Sequence, residues 1–233
     1  MYNVFMAEFY HTINRGADKR KIFLDDQDRF RFIHDLFEFN DQDLVKTTFY
    51  AFSKIKKQVV KIEQKQEKKK PRKLLVNILA FCLMDNHYHL LLEPLVEGGV
   101  SKFMKKLNMG YSRYFNTRHE RQGTLFEGRY KRVLVKNEAH FIHLPYYIHL
   151  NPLDFKFYGW RERKIKNHKE AMKFLEDYRW SSHLDYIGKK NFPSVTQREF
   201  LLDFFGGPKE YKRKIREWLQ NIDLESIKDI SLE

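Results

Sequence analysis

The stretch Phe81-Cys82-Leu83-Met84-Asp85-Asn86-His87-Tyr88-His89-Leu90-Leu91-Leu92-Glu93 constrains this chain more than any other. Two apolar runs, Leu74–Met84 and Tyr88–Glu93, flank a polar Asp-Asn pair and are too apolar for a surface loop. Asp and Asn favour turns because their side chains bond nearby backbone and tolerate left-handed geometry. An antiparallel strand pair is therefore expected. Residues two apart on a strand point to the same side, so His87 and His89 should project together, with Tyr88 and Leu90 facing away. Two neighbouring imidazoles on a rigid strand can share one divalent ion. The plain alternative is two half-exposed strand histidines bonded to neighbours or water.

A chain of 233 residues suits one large domain or one domain with appendages, and 16% aromatic residues supply a core. The single Cys82 excludes an intrachain disulfide and argues against a cysteine-rich zinc module; a small buried hydrophobe is its expected role. The first residues do not resemble a signal peptide, and no apolar run approaches the roughly 18 residues of a membrane helix. A reducing, cytoplasmic setting is the expectation. Net charge is +13, and Lys54–Lys73 alone holds ten basic residues against two glutamates, leaving +5 for the rest. Such local basicity makes nucleic acid the first partner to consider, because phosphate neutralisation dominates that binding. A solvated lysine-rich loop is the bland alternative.

Ala7–Asn14 is aromatic and β-branched and ends at Arg15-Gly16, which predicts a first strand and turn. Asp25–Phe39 carries Phe30, Ile33, Leu36 and Phe37 at helical spacing behind an acidic start. Asn40–Arg72 has no firm period, and its later half is expected to be an inserted loop or frayed helix. After Gly98-Gly99, a helix from Val100 to about Arg118 has the apolar stripe Val100, Phe103, Met104, Leu107, Tyr111, Tyr114 and Phe115, with Arg113 off it. Gly123–Val135 is expected to be extended with a bend at Gly128. Arg129, Lys131 and Arg132 there alternate with Phe126 and Tyr130, a mixture that suits phosphate contacts and base stacking. Asn137 should cap a helix to about Leu150, with a kink at Pro145 and a stop at Asn151-Pro152. Tyr147 and Asn151 lie four apart and so share a face, with His143 one turn earlier. A phenol and an amide oxygen presented together can act as nucleophile and metal ligand; packing of the ring and capping by the amide is the structural alternative. A basic connector leads to Trp180-Ser181-Ser182, and Lys209–Ile222 has the pattern of a basic amphipathic helix.

Several motifs occur in order: Phe-Tyr-His-Thr-Ile-Asn-Arg-Gly, Leu-Met-Asp-Asn-His-Tyr-His-Leu-Leu-Leu, Gly-Tyr-Ser-Arg-Tyr-Phe-Asn, Gly-Thr-Leu-Phe-Glu-Gly-Arg-Tyr-Lys, Tyr-Ile-His-Leu-Asn-Pro and Tyr-Arg-Trp-Ser-Ser. Over about residues 7 to 187 the chain resembles the single-tyrosine HUH transposases, in the branch of REP-associated tyrosine transposases. The resemblance implies an α+β fold, a ferredoxin-like antiparallel sheet with helices packed on it. On it, residues 1–190 would be the transposase domain with a lysine-rich insertion at about 41–73, and 191–233 a helical extension. It implies His87 and His89 as metal ligands, Tyr147 as the catalytic tyrosine, Asn151 as third ligand, and Mg2+ or Mn2+ as the metal. By ligand softness alone, two imidazoles suit zinc equally. Asp85 stands where the family usually has proline, and Pro145 precedes the tyrosine.

The activity implied is single-strand DNA cleavage and strand transfer beside a hairpin, through a 5′-phosphotyrosine and a released 3′-hydroxyl. Arg15, Arg113, Arg129, Lys131 and Arg132 are the candidate DNA contacts. Expected partners are single-stranded or hairpin DNA and at most a second copy, with no membrane, in a nucleoid-associated setting. Two other classes compete: a DNA- or RNA-binding regulator that keeps the fold without the chemistry, and a metal hydrolase that uses water and has no need of Tyr147.

Overall fold

Alternating apolar strands around an Asp-Asn turn organise the computed structural model, which describes residues 8–43, 50–53, 58–61, 71–221 and 224–231. Strand β1 (Tyr10–Arg15) is followed by helix α1 (Asp26–Glu38) and a short antiparallel pair, β2 (Tyr50–Ser53) and β3 (Gln58–Lys61). The central hairpin is β4 (Val76–Leu83) and β5 (His87–Pro94), then α2 (Gly99–Arg118), β6 (Lys131–Leu134) and α3 (Glu138–Leu150). A 3-10 turn (Asn151–Phe155), α4 (His168–Asp177), α5 (His183–Tyr186), α6 (Glu199–Phe205), α7 (Pro208–Gln220) and α8 (Lys228–Ser231) complete the chain. The main sheet has the order β4-β5-β1-β6, every neighbour antiparallel. With α1 and α2 as crossovers this is the ferredoxin-like α+β arrangement. Among the described residues no helix is long and apolar enough to cross a membrane.

Both faces of the sheet are buried. Tyr88, Leu90 and Leu92 of β5 face α1 and α2, whose Phe32, Leu36, Phe103 and Leu107 complete that core. The predicted α2 stripe is buried in full, from Val100 to Phe115. Tyr111 donates to the Ile22 carbonyl at 2.6 Å and Tyr114 to Asp28 at 3.1 Å, so both are core residues. On α1 the buried face is rotated from the expected one: Phe32 is buried, while Phe30 is 37% exposed and Phe37 only half-buried. Asp28 sets that rotation. Its buried carboxylate accepts from the Leu24 amide, Tyr114, Arg118 and His119, which points this side of α1 at α2.

The other face carries Leu91, Cys82 and Ala80 against Phe141, Leu144, Tyr147 and Ile148 of α3. Helix α3 starts as expected, the Asn137 side chain accepting from the His140 amide at 2.8 Å. It does not stop in extended chain at Asn151. Asn151 is itself helical (φ −49°, ψ −38°), and the helix tightens into the 3-10 turn. Pro152 stands at the start of that turn, where a missing N–H has no helical partner to lose. Most of the lysine-rich insertion, residues 44–49, 54–57 and 62–70, lies outside the described residues. Its described pieces pair as β2 and β3 instead of forming a loop or helix.

The C-terminal segment shares the α3 core through Leu201, Phe205, Tyr211 and Ile215. A buried polar chain ties it there. Burial pushes His149 well below the ordinary histidine value, so the ring is neutral with one N–H. Tyr211 O–H donates to Nδ1 at 2.6 Å and Nε2–H donates to Ser182 Oγ at 2.7 Å. Ser182 also accepts the Phe81 amide at 2.9 Å and donates to the Phe81 carbonyl at 3.3 Å. Breaking this chain leaves a buried acceptor without its donor. Tyr211→Phe should lower unfolding free energy by about 1–3 kcal/mol in urea titrations.

Asp35 provides a pH-dependent element on the opposite face. It is fully buried, with its Oδ1 2.8 Å from the Arg31 guanidinium. Burial pushes its carboxyl up from 3.8 to about 7, although Arg31 pulls it down. As pH rises the unfolded chain loses this proton first, so the stability carried by the protonated native carboxyl falls between the two values. Wild type should therefore lose more stability than Asp35→Asn between about pH 4 and pH 7, measured as urea midpoints across that range.

Candidate active site

Register decides which side chains meet. Pairing of β1 with β5 sets Ile13 opposite His89 and Arg15 opposite His87, so His11, Ile13 and Arg15 share a face with the two histidines. The His87 and His89 rings lie 4.9 Å apart at 77°. The His11 and His89 rings stack at 5.2 Å, with His11 Nε2 2.9 Å from His89 Nδ1. From α3, Tyr147 stands edge-on to both His89 (6.0 Å, 89°) and His11 (6.3 Å, 83°). Tyr147 is 1% exposed.

The two strand histidines are neutral. Burial pushes His87 down to about 3, helped by the positive charges of Arg15 and Arg161 and opposed by Asp85. His89 is pushed well below its ordinary value, by burial first and then by its charged and histidine neighbours. Asn86 donates its amide N–H to the Lys19 carbonyl at 3.2 Å, which leaves its Oδ1 to accept His87 Nδ1–H at 2.6 Å. The lone pair of His87 Nε2 is then buried with no hydrogen-bond partner among the described residues. A neutral imidazole nitrogen in that state is what a divalent cation requires. Asp85 holds the turn from outside, its carboxylate 2.8 Å from Arg29 and 2.9 Å from Lys21.

Asn151 is fully buried one turn beyond Tyr147. Its Nδ2 donates back to the Tyr147 carbonyl at 3.0 Å, and its Oδ1 accepts Arg161 at 2.9 Å. Arg161 is also ion-paired with Asp154. The guanidinium lies 4.4 Å from the Trp160 ring and 5.8 Å from the Tyr147 ring. Trp160 is fully buried, 6.2 Å from Tyr147, so Trp160 and Arg161 cover the tyrosine. Among the described residues no group of three or more His, Cys, Asp or Glu converges as a metal cluster. A cation at this site would rest on the two imidazoles, with further oxygen donors from Asn151, substrate or water. His143 is directed elsewhere and packs 5.6 Å from Trp218 of α7.

A cleft of about 270 Å³ opens beside the histidines, lined by Ile13, Asn14, Arg15, Glu127, Gly128, Arg129 and Lys131. Three of the five predicted DNA contacts, Arg15, Arg129 and Lys131, thus come together. Arg132 does not join them. It pairs with Thr12 on the opposite face and lies 5.3 Å from the Tyr10 ring. Arg113 is exposed on α2, also on the far side of the sheet.

Residues 43–151 match the family model described as "Transposase IS200 like". Over this segment, a little under half of its length, the chain is similar to IS200-like transposases. The matched segment contains the β4–β5 hairpin, α2, β6 and all of α3 with Tyr147 and Asn151. A solved structure described as "Structure of the REP associates tyrosine transposase bound to a REP hairpin" is similar at 11% identity and a TM-score of 0.46, over 84% of this chain and 87% of that one. No curated protein matches the chain.

Two groups at the centre of this site are not identifiable by sequence spacing. His11 precedes the matched segment and reaches His89 only through the β1–β5 register. Arg161 follows it, in a connector with no period, and its only signal is the basic and aromatic composition around it. The Asn151 contacts also have a thermodynamic consequence. Asn151→Ala strips a buried donor from the Tyr147 carbonyl and an acceptor from Arg161. It should cost about 1–3 kcal/mol of stability in urea unfolding, so any activity it loses includes a structural part.

Proposed function

We propose that this chain is a metal-dependent single-strand DNA endonuclease and strand transferase that uses Tyr147 as nucleophile beside a DNA hairpin. The observation that carries the reading is the convergence of Tyr147 with two neutral histidines on one buried face of the sheet. The IS200-like match and the basic cleft next to His87 support it.

In this reading the Tyr147 oxygen attacks phosphorus and the bond from phosphorus to the 3′-oxygen breaks. The phenolic proton is released, and the leaving oxygen takes up a proton as a 3′-hydroxyl. The 5′-phosphate stays on Tyr147, and attack by another 3′-hydroxyl reverses the step and joins strands without a nucleotide cofactor. His87 and His89 would hold Mg2+ or Mn2+, which when bound would polarise the scissile phosphate and offset developing charge. His11 orients the His89 ring through the bond at Nδ1. Arg15, Arg129 and Lys131 attract the backbone of the strand in the cleft. Because Tyr147 is almost wholly covered, the Trp160–Arg161 cover must shift for a phosphate to reach it.

The test is incubation with labelled single-stranded hairpin DNA from the flanks of the gene, in Mg2+ or Mn2+, followed by a denaturing protein gel. A labelled protein band is expected in wild type and absent in Tyr147→Phe. Binding without an adduct across several hairpins and both metals would instead favour a binding regulator on the same fold. An adduct that survives in Tyr147→Phe would reassign the nucleophile.

A further inference from the structure

The connector from the 3-10 turn to α4 has features that the site above does not use. Residues 155–169 contain six Lys or Arg against one acidic residue, and four aromatic residues. Trp160 turns inward to Tyr147, and Phe157 packs on Phe174 at 5.9 Å. Tyr158 does the opposite. It is 78% exposed, and its ring meets no other ring among the described residues. Lys164, Lys166 and Lys169 are exposed and make no ion pair among the described residues, unlike Lys156, which pairs with Glu170 at 2.8 Å.

The backbone under these side chains is tightly closed. The Gly159 carbonyl accepts from Glu162 (3.2 Å) and Lys164 (2.9 Å), and the Trp160 carbonyl from Arg163 (3.3 Å). A Cβ on Gly159 would lie 2.8 Å from the Lys164 Cβ. Arg163 takes φ +59°, a left-handed conformation that a non-glycine residue holds only where its surroundings impose it. A merely solvated basic turn needs charge alone. It does not need a hydrogen-bonded turn with a left-handed Arg163, nor an exposed ring two residues before the tryptophan and three before the arginine that cover Tyr147.

We infer that the turn Phe157–Lys169 is a docking surface for the single-stranded DNA that enters the Tyr147 site. Tyr158 stacks on a base, and Lys164 and Lys166 bind successive phosphates. Every base has a π-face, so this contact holds the strand without reading its sequence. Trp160 and Arg161 link the surface to the tyrosine. The inference rests on the single-strand nuclease reading above and adds the path the strand takes.

The test uses the full chain carrying Tyr147→Phe, so that nothing is cleaved, and a fluorescein-labelled single strand of about 20 nucleotides, long enough to cover cleft and turn. Anisotropy titrations over a range of salt give affinity and salt slope. Adding Tyr158→Ala should weaken binding by about tenfold, and Tyr158→Trp should restore it. Adding Lys164→Ala with Lys166→Ala should reduce the slope of log affinity on log salt by about 1.4, two single-strand phosphates. Circular dichroism melts monitor the fold of each variant, and the Tyr158→Trp rescue separates stacking from misfolding. Affinity and slope equal to the parent in these variants would overturn the docking surface while leaving the nuclease reading intact. Failure of the Tyr147→Phe parent to bind any single strand would overturn both.

Discussion

Pairing of Ile13 with His89 across β1 and β5 determines where every other group at the site can stand. Side chains on a strand alternate, so a slip of one residue would exchange His87 and His89 for Tyr88 and Leu90. Such a slip is costly here because both faces are packed. It would force neutral imidazoles into the α1–α2 core and push Tyr88 and Leu92 into the α3 face. The same register delivers His11 to Nδ1 of His89 and Arg15 to the lining of the cleft. Two apolar cores thus enforce one polar arrangement between sheet and helix.

Helix α3 is the second half of that arrangement, and it is buried on most sides. Tyr147 faces the sheet histidines, while His149, two residues on, faces Ser182 and Tyr211. The helix carrying the tyrosine is therefore clamped to the Trp180–Ser182 segment and, through Tyr211, to the C-terminal helix α7. That segment is itself bonded to β4, with Leu83 donating to the Trp180 carbonyl at 2.9 Å and Ser182 to the Phe81 carbonyl at 3.0 Å. Pro145 sits within a continuous α3, in its buried stretch Leu144–Leu150, where packing offsets the missing backbone donor.

The electrostatics of the site suit an anion. Burial removes charge from His87 and His89, and the guanidinium groups of Arg15 and Arg161 act on both rings in the same direction. Asp154 pairs with Arg161, and Asp85 belongs to the outside of the turn. A phosphodiester at the cleft would meet Arg15, Arg129 and Lys131, with Glu127 as the acidic residue in the lining. Fixed charges of this kind need no rearrangement as charge develops on a reacting phosphate.

Much of the frame was legible in the chain itself. The hairpin around Asp85-Asn86, the shared side of His87 and His89, the α2 stripe and the Asn137 cap follow from strand and helix periods and from local turn and cap chemistry, which act over a few residues. The motifs carried the resemblance to IS200-like transposases because residue types and their order are properties of the chain alone. Contacts that cross from element to element were not legible. His11 reached His89 over 78 residues of sequence, and Arg161 found Asn151 through a connector with no repeating pattern. The rotated face of α1 came from its own buried Asp28, which accepts from Tyr114 and Arg118 of α2, and the placing of Lys131 instead of Arg132 at the cleft came from the sheet register. Sequence determined which local elements form and which chemical groups they carry, because those depend on neighbours along the chain. Tertiary structure decided which groups meet, because strand register and helix packing are set by the simultaneous burial of two sheet faces.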